Sequence, residues 1–264
     1  MILTHHDLKQ DFHSWLEAWH QGEGYESEFK VLAERLGVCV KKGNRSKYDP
    51  ATATIYIARN LHAFRERHEG LHEVTHHLFH TAEDGRFLEA ARRLGAQKLK
   101  SQKEVEESIV EEASWQLLTP THQVDAICRA SEFDVEAMVK IARACRTSFE
   151  FAAQRVGSTL SRPCRGLVMD SRGWVTASFG NGIGDAKYTS GKEFFVEETH
   201  LLRQISRVDQ VVEFNAKVPF KRSRQSWRVP VEAWKDSSRH QTLALFGTRR
   251  NSITGMQPLL EVTK

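Results

Sequence analysis

The sequence is short of cysteine, has no long apolar run and carries little net charge. Its four cysteines, Cys39, Cys128, Cys145 and Cys164, are scattered without a Cys-x-x-Cys pair. That argues against a disulfide frame, a cysteine-rich zinc site or a cysteine nucleophile, and leaves reduced structural thiols. The longest apolar runs are a few residues, as at 53–58, far below the ~20 that a membrane-crossing helix needs. The opening Met1-Ile2-Leu3-Thr4-His5-His6-Asp7 lacks the charged and apolar regions of a signal peptide. A cytoplasmic protein with no membrane partner is the expectation.

Charge of one sign is scarce overall but unevenly placed. The formal net charge is +4; residues 161–264 hold 17 Lys+Arg against 10 Asp+Glu, and the first 160 hold 21 against 24. A basic C-terminal third is either a solvated surface or a face for an acidic ligand or partner. The 264 residues, 40% of them apolar, suffice for one large or two modest domains with buried cores.

Periodicity gives the organisation. Leu8, Phe12, Trp15, Leu16 and Trp19 form a helical stripe. A short helix follows over 26–36, stopped by Gly37, then a strand at 38–40 and a polar loop at 41–50. Thr52-Ala53-Thr54-Ile55-Tyr56-Ile57 has strand composition; placed at a sheet edge, it would also pair with extended substrate. A helix is predicted over 61–79, and a further helical stretch runs to Leu118, stopped by Thr119-Pro120. Three short helices are expected at 121–130, 133–144 and 147–157, with residues 144–148 resembling the turn of a helix-turn-helix. The texture changes at Ser161-Arg162-Pro163. Beyond it, strands are predicted at 166–169, 174–179, 211–218 and 242–246, with a glycine-rich turn at 180–184. The resulting domains are 1–120, 121–160 and 161–264.

The chemistry sits in His72-Glu73-Val74-Thr75-His76. On a helix, residues i and i+4 project about 40° apart, so two imidazoles can converge on one ion. The Glu after the first His stands beside the metal and can take a proton from water acidified there. His68-Glu69-Gly70-Leu71-His72 offers the same pattern one turn earlier. The later register is preferred, because the earlier one puts Gly70 inside the helix, at about 1 kcal/mol relative to alanine. A third ligand is required. A downstream His following x-x-Gly is excluded by Phe79 and Ala82, which leaves a Glu on a later helix. Within 103–113, Glu107 shares a face with Val110, Ser114 and Leu118, and Glu106 shares one with Ile109, Val110, Ala113 and Leu117; spacing does not choose between them. His5, His6, His77 and His80 read as solvent-facing.

These residues resemble a family. His72-Glu73-Val74-Thr75-His76-His77-Leu78-Phe79-His80 is similar to the His-Glu-x-x-His-x-Leu-Leu-His signature of ImmA/IrrE-type zinc metallopeptidases. That family continues with Glu-x-x-Ala-Asn-x-Phe-Ala-x-x-Leu-Leu-Met-Pro, whose first Glu is the third zinc ligand. Leu117-Leu118-Thr119-Pro120 fits its end, and counting back places Glu107 at the ligand position. Val110, Glu111 and Ala113-Ser114 stand where the pattern has Ala, Asn and Phe-Ala. The likeness is closest to the IrrE/PprI radiation-response branch: Asp49-Pro50 with Ile55-Tyr56-Ile57, Val139-Lys140-Ile141-Ala142-Arg143, Ala186-Lys187-Tyr188-Thr189, His200-Leu201 and Val218-Pro219-Phe220-Lys221 occur in its order.

The resemblance implies an α+β fold: a zincin-like metallopeptidase domain with a helix-turn-helix-like helical segment, plus a smaller, mainly β GAF-like domain. It implies a Zn2+-dependent endopeptidase that cleaves a helix-turn-helix repressor and derepresses a stress-response or mobile-element regulon. A small-molecule effector at the C-terminal domain is a possible partner. The other reading is a DNA- or ligand-binding regulator with a vestigial metal site. Against nucleic acid, the candidate recognition helix 149–156 offers one cation and one acid, where phosphate neutralisation needs more. Lys221-Arg222-Ser223-Arg224-Gln225-Ser226-Trp227-Arg228 is a surface loop or a contact for an acidic effector or nucleic acid.

Overall fold

The computed structural model of the chain describes residues 4–97, 101–160, 164–180, 195–217 and 228–247. It is mixed α+β, and its contacts divide it into two compact units, Met1–His122 and Gln123–Lys264. No helix among the described residues is long and apolar enough to cross a membrane.

The first unit opens with helix α1 (His5–Gly22), started by a capping box between Thr4 and Asp7. Its stripe buries Leu8, Phe12, Leu16 and His20, while Trp15 and Trp19 are half-buried. Phe12 meets the edges of Phe79 and Phe87 at 4.9 Å each, the arrangement that aromatic quadrupoles favour. Helix α2 (Phe29–Arg35) leads into a three-stranded sheet of β1 (Cys39–Gly43), β2 (Lys47–Asp49) and β3 (Thr54–Ala58), in the order β1-β3-β2. β1 runs parallel to β3, and β2 antiparallel to it.

Two expectations change here. The segment 41–50 is not simply a polar loop, because it completes β1 and contains β2. The strand at 52–57 is not an edge: β3 is hydrogen-bonded on both sides, with Ile55 and Ile57 buried, so its backbone has nothing left for a substrate.

Helix α3 (Ala63–Thr81) carries the motif and passes straight through Gly70. Phe29 of α2 lies so close that a Cβ on residue 70 would overlap its ring. The glycine is therefore a packing requirement of an unbroken helix, and it does not separate the two His-Glu-x-x-His registers. The stretch expected to run helical to Leu118 is two helices, α4 (Arg86–Gln97) and α5 (Gln102–Leu118). α5 starts from a capping box of Ser101 with Glu104. Near the end of α4, Gly95 passes so close to that start that a Cβ would sit 2.8 Å from the Gln102 nitrogen. α6 (Thr121–Ala130) runs across the division between the units.

In the second unit, α7 (Asp134–Ala144) and α8 (Phe149–Thr159) precede an antiparallel sheet of five strands. These are β4 (Cys164–Asp170), β5 (Val175–Phe179), β6 (Val211–Lys217), β7 (Arg228–Asp236) and β8 (Gln241–Gly247), in the order β5-β4-β8-β7-β6. Met138, Phe149 and Val156 of the helices share one core with Val168, Phe179 and Leu243 of the sheet. The other face packs Leu167, Met169, Val231 and Phe246 against Val196 and Leu202. The buried Glu232 of β7 accepts the backbone N–H groups of Asp134 and Val135, so a strand carboxylate caps α7. α8 buries Phe149, Ala152, Ala153 and Val156, which turns most of its apolar face to the sheet.

β7 had no counterpart in the predicted strands. Residues 181–184 of the glycine-rich turn, 186–189, 218–221 and 221–227 of the basic run lie outside the described residues.

Candidate metal centre

Three elements of the first unit build the site. α3 supplies His72, Glu73, His76, His77 and His80; α5 supplies Glu106, Glu107 and Glu111; β2 supplies Tyr48. The histidine spacing of one helical turn stacks His72 over His76, and their Nε2 atoms come to 3.2 Å of each other. Glu107 reaches over from α5, with one carboxylate oxygen 3.3 Å from His72 Nε2 and the other 3.4 Å from His76 Nε2. Donors on a tetrahedral zinc, each ~2.0–2.1 Å from the ion, stand about 3.3 Å apart. The two Nε2 atoms stand at that spacing, and the Glu107 carboxylate meets each of them through a different oxygen, so the donor types suit zinc and lie close enough to converge on one ion.

A second trio, His76, His80 and Glu106, also brings ligand-type atoms together. Its distances tell a different story. Glu106 Oε1 is 2.7 Å from both His76 Nδ1 and His80 Nε2, which is hydrogen-bond length and too short for neighbouring donors on one tetrahedral ion. Glu106 therefore accepts N–H from His76 Nδ1, which turns Nε2 toward Glu107. Glu111 places Oε2 3.5 Å from His72 Nδ1 with its side chain half-exposed.

Glu73 follows His72 and is buried at 6% exposure. Burial pushes its carboxyl up to about 7, although His76 and the Tyr48 backbone N–H donated to it both work the other way. A carboxyl poised near neutrality can both take and return a proton. Glu106 goes the other way: burial opposes its charge, yet the hydrogen bonds from His76 and His80 hold it at about 2. Burial would lower His76 too, but its bonds to Glu106 and Glu107 push it up to about 9, whereas burial and then repulsion from His76 bring His72 down to about 4.

The neighbouring histidines correct one expectation. His77 is buried with Nδ1 2.9 Å from the Tyr48 hydroxyl, and His80 is spent on Glu106, so neither faces solvent. Tyr48 meets the His80 ring edge-on at 5.5 Å. His5, also expected in solvent, has Nε2 2.8 Å from Ser108 Oγ. No metal-capable group among the described residues includes His68.

The sequence reading missed the role of Glu106 as partner of His76, and Tyr48 altogether. For Glu106 a signal existed, since its face is the apolar stripe of α5 and a carboxylate carried inward needs donors. For Tyr48 there was none.

Two histidines on one helix and a carboxylate on its neighbour are a group able to hold a metal ion, with the buried Glu73 beside them. Residues 26–156, just under half of the chain, match the model of the IrrE N-terminal-like domain, Peptidase M78. This match supports the ImmA/IrrE family and a peptidase, and it spans every residue of the centre. A solved structure of a Mycobacterium tuberculosis transcriptional regulator is similar at TM-score 0.50 and 13% identity, covering 89% of this chain and 75% of that one. At that identity the likeness is one of fold. No curated protein matches the chain.

Proposed function

We propose that the chain is a zinc-dependent endopeptidase of the ImmA/IrrE type, with His72, His76 and Glu107 as ligands and Glu73 as the proton carrier. The observation that carries this reading is the convergence of three groups: the Nε2 atoms of His72 and His76 stand 3.2 Å apart, and the two oxygens of Glu107 lie 3.3 Å from the first and 3.4 Å from the second. A bound zinc ion would supply Lewis acidity toward water and the scissile carbonyl. Glu73 takes a proton from the attacking water and returns it to the leaving amine nitrogen. The Tyr48 N–H donated to Glu73 holds that carboxylate toward β2. Glu107, half-exposed, leaves the centre open to solvent and substrate on one side.

β2 takes over the substrate-pairing role first given to residues 52–57. It lies at an edge of the sheet, beside Glu73, and an extended peptide added along it would bring a backbone carbonyl toward the centre. In this reading residues 1–120 are the zincin-like peptidase, 121–160 the helix-turn-helix-like segment and 161–264 a GAF-like sensor for a small effector. The protein is a cytoplasmic relative of the radiation-response branch, and its substrate is a helix-turn-helix repressor of a stress-response or mobile-element regulon.

The test is incubation of candidate helix-turn-helix repressors with the wild type and with Glu73→Gln, read by mass spectrometry. The wild type cuts one repressor at a defined bond, chelation stops the cut, and Glu73→Gln is slower by about 10²–10⁴-fold. Cleavage undiminished in Glu73→Gln would remove the mechanism. A second reading, a regulator acting by binding alone, is favoured by the transcriptional regulator of similar fold. It predicts full biological effect from Glu73→Gln.

A further inference from the structure

We propose that Glu106 is a positioning residue for the metal centre: one carboxylate oxygen, braced by His80, locks the His76 ring with Nδ1–H toward α5 and Nε2 as the nitrogen turned to the site. The inference rests on the metal-centre reading above and adds to it a residue that does not touch the ion. Glu106 is 8% exposed, on the buried stripe of α5 with Ile109, Val110 and Ala113. Its Oε1 stands 2.7 Å from His76 Nδ1 and 2.7 Å from His80 Nε2. A carboxylate oxygen has two lone pairs, and here each has an N–H donor.

The geometry selects one tautomer. Were Nδ1 of His76 unprotonated, its lone pair would face a carboxylate oxygen at hydrogen-bond distance, and the proton would sit on Nε2, blocking ligation. His80 is itself held, because the Tyr48 ring meets it edge-on at 5.5 Å and the Tyr48 hydroxyl is tied to His77 Nδ1 at 2.9 Å. The carboxylate is thus fixed before any ion arrives, and the His76 ring is held in the orientation that turns Nε2 to the site. Glu107, the next residue on α5, lies about 100° further round the helix. That step puts adjacent glutamates on opposite nitrogens of the same ring.

The experiment measures zinc affinity of the full chain by competition with a chromophoric chelator, together with the visible spectrum of the cobalt-substituted protein. Glu106→Ala should bind zinc about 10–100-fold more weakly, with Glu106→Gln shifted in the same direction by less. Both should alter the cobalt bands, because His76 is reoriented. His80→Leu should weaken binding, and His80→Gln, whose amide nitrogen can stand where Nε2 stood, should restore most of it. Glu112→Gln, an exposed position paired with Lys9, should match the wild type in both measurements. If Glu106→Ala fails to fold, Glu106→Gln and the His80 pair decide. The proposal is overturned if the wild type binds zinc while the Glu106 and His80 variants keep its affinity and cobalt spectrum. A different pattern, in which the wild type binds no zinc or His72→Ala binds as tightly as the wild type, brings down the metal centre itself and this proposal with it.

Discussion

Replacing Gly70 with alanine sets two effects of opposite sign against each other. In an exposed helix interior, alanine is better than glycine by about 1 kcal/mol. In α3 the new methyl would overlap three ring carbons of Phe29, which is itself only 4% exposed and has little room to retreat. Overpacking of a tight core costs about 1–3 kcal/mol, and contact with three atoms at once puts this case at the upper end. The net expectation is a loss of about 2 kcal/mol, or several degrees of melting temperature at ~2–4 °C per kcal/mol. The same substitution made in a Phe29→Ala background meets no ring, so only the helix term remains, and it should stabilise by about 1 kcal/mol. Phe29→Ala alone costs ~3–5 kcal/mol. The sign reversal, a coupling of about 3 kcal/mol, is measured by a double-mutant cycle on thermal or urea unfolding. A Gly70→Ala protein more stable than the wild type, or the same sign in both backgrounds, would refute the packing account of this glycine.

Other consequences are independent of that one. Glu107→Gln should lose most zinc affinity by chelator competition, while His68→Ala should keep it; the reverse result would shift the centre to the upstream register. His20 is buried with Nε2 2.7 Å from the Glu26 carbonyl, and burial holds its imidazole below the ordinary 6.5 despite that bond. The unfolded chain therefore takes up a proton near pH 6.5 that the folded chain refuses. Stability from this group is full above that pH and declines as pH falls below it, by at most about 1.4 kcal/mol per unit. His20→Gln should flatten that part of the stability profile relative to the wild type, and an unchanged slope would exclude His20 as its source. In the second unit, Glu232→Leu removes the acceptor of two buried N–H groups at the start of α7. A loss of about 1–3 kcal/mol is expected in urea unfolding, with Glu232→Gln losing less.

Much of the helical frame was legible because periodicity and punctuation agree there. Residues 133–144 and 147–157 differ from α7 and α8 by no more than two positions at either end, since Ser148 is a real cap and Cys145-Arg146 a real turn. β2 was invisible for a physical reason. Three residues, Lys47-Tyr48-Asp49, hold no alternation of their own and become a strand only because β3 offers a partner. β7 was hidden by Pro230 and by charged residues at 232 and 236 that turn out to be buried. The proline is tolerated because pairing with β8 begins only at Val231, so Pro230 answers to β6 alone. At the metal centre, the types and spacing of His72, Glu73 and His76 could be read directly. The different contacts of Glu106 and Glu107 could not, because which imidazole nitrogen each carboxylate meets is a matter of how α5 lies on α3.

The start of α5 has a reach beyond its own turn. A helix is a stiff rod rising ~1.5 Å per residue, so the place where Ser101 and Glu104 begin it sets, about 9 Å further on, how high both glutamates stand against His72 and His76. Gly95 guards that starting point by letting α4 pass within touching distance of Gln102. A side chain there would move the rod as a body and draw two carboxylates off the imidazoles together. Residue 95 thus helps to set where Glu106 and Glu107 stand, and a change at the histidine cluster can be inherited from the far end of a helix.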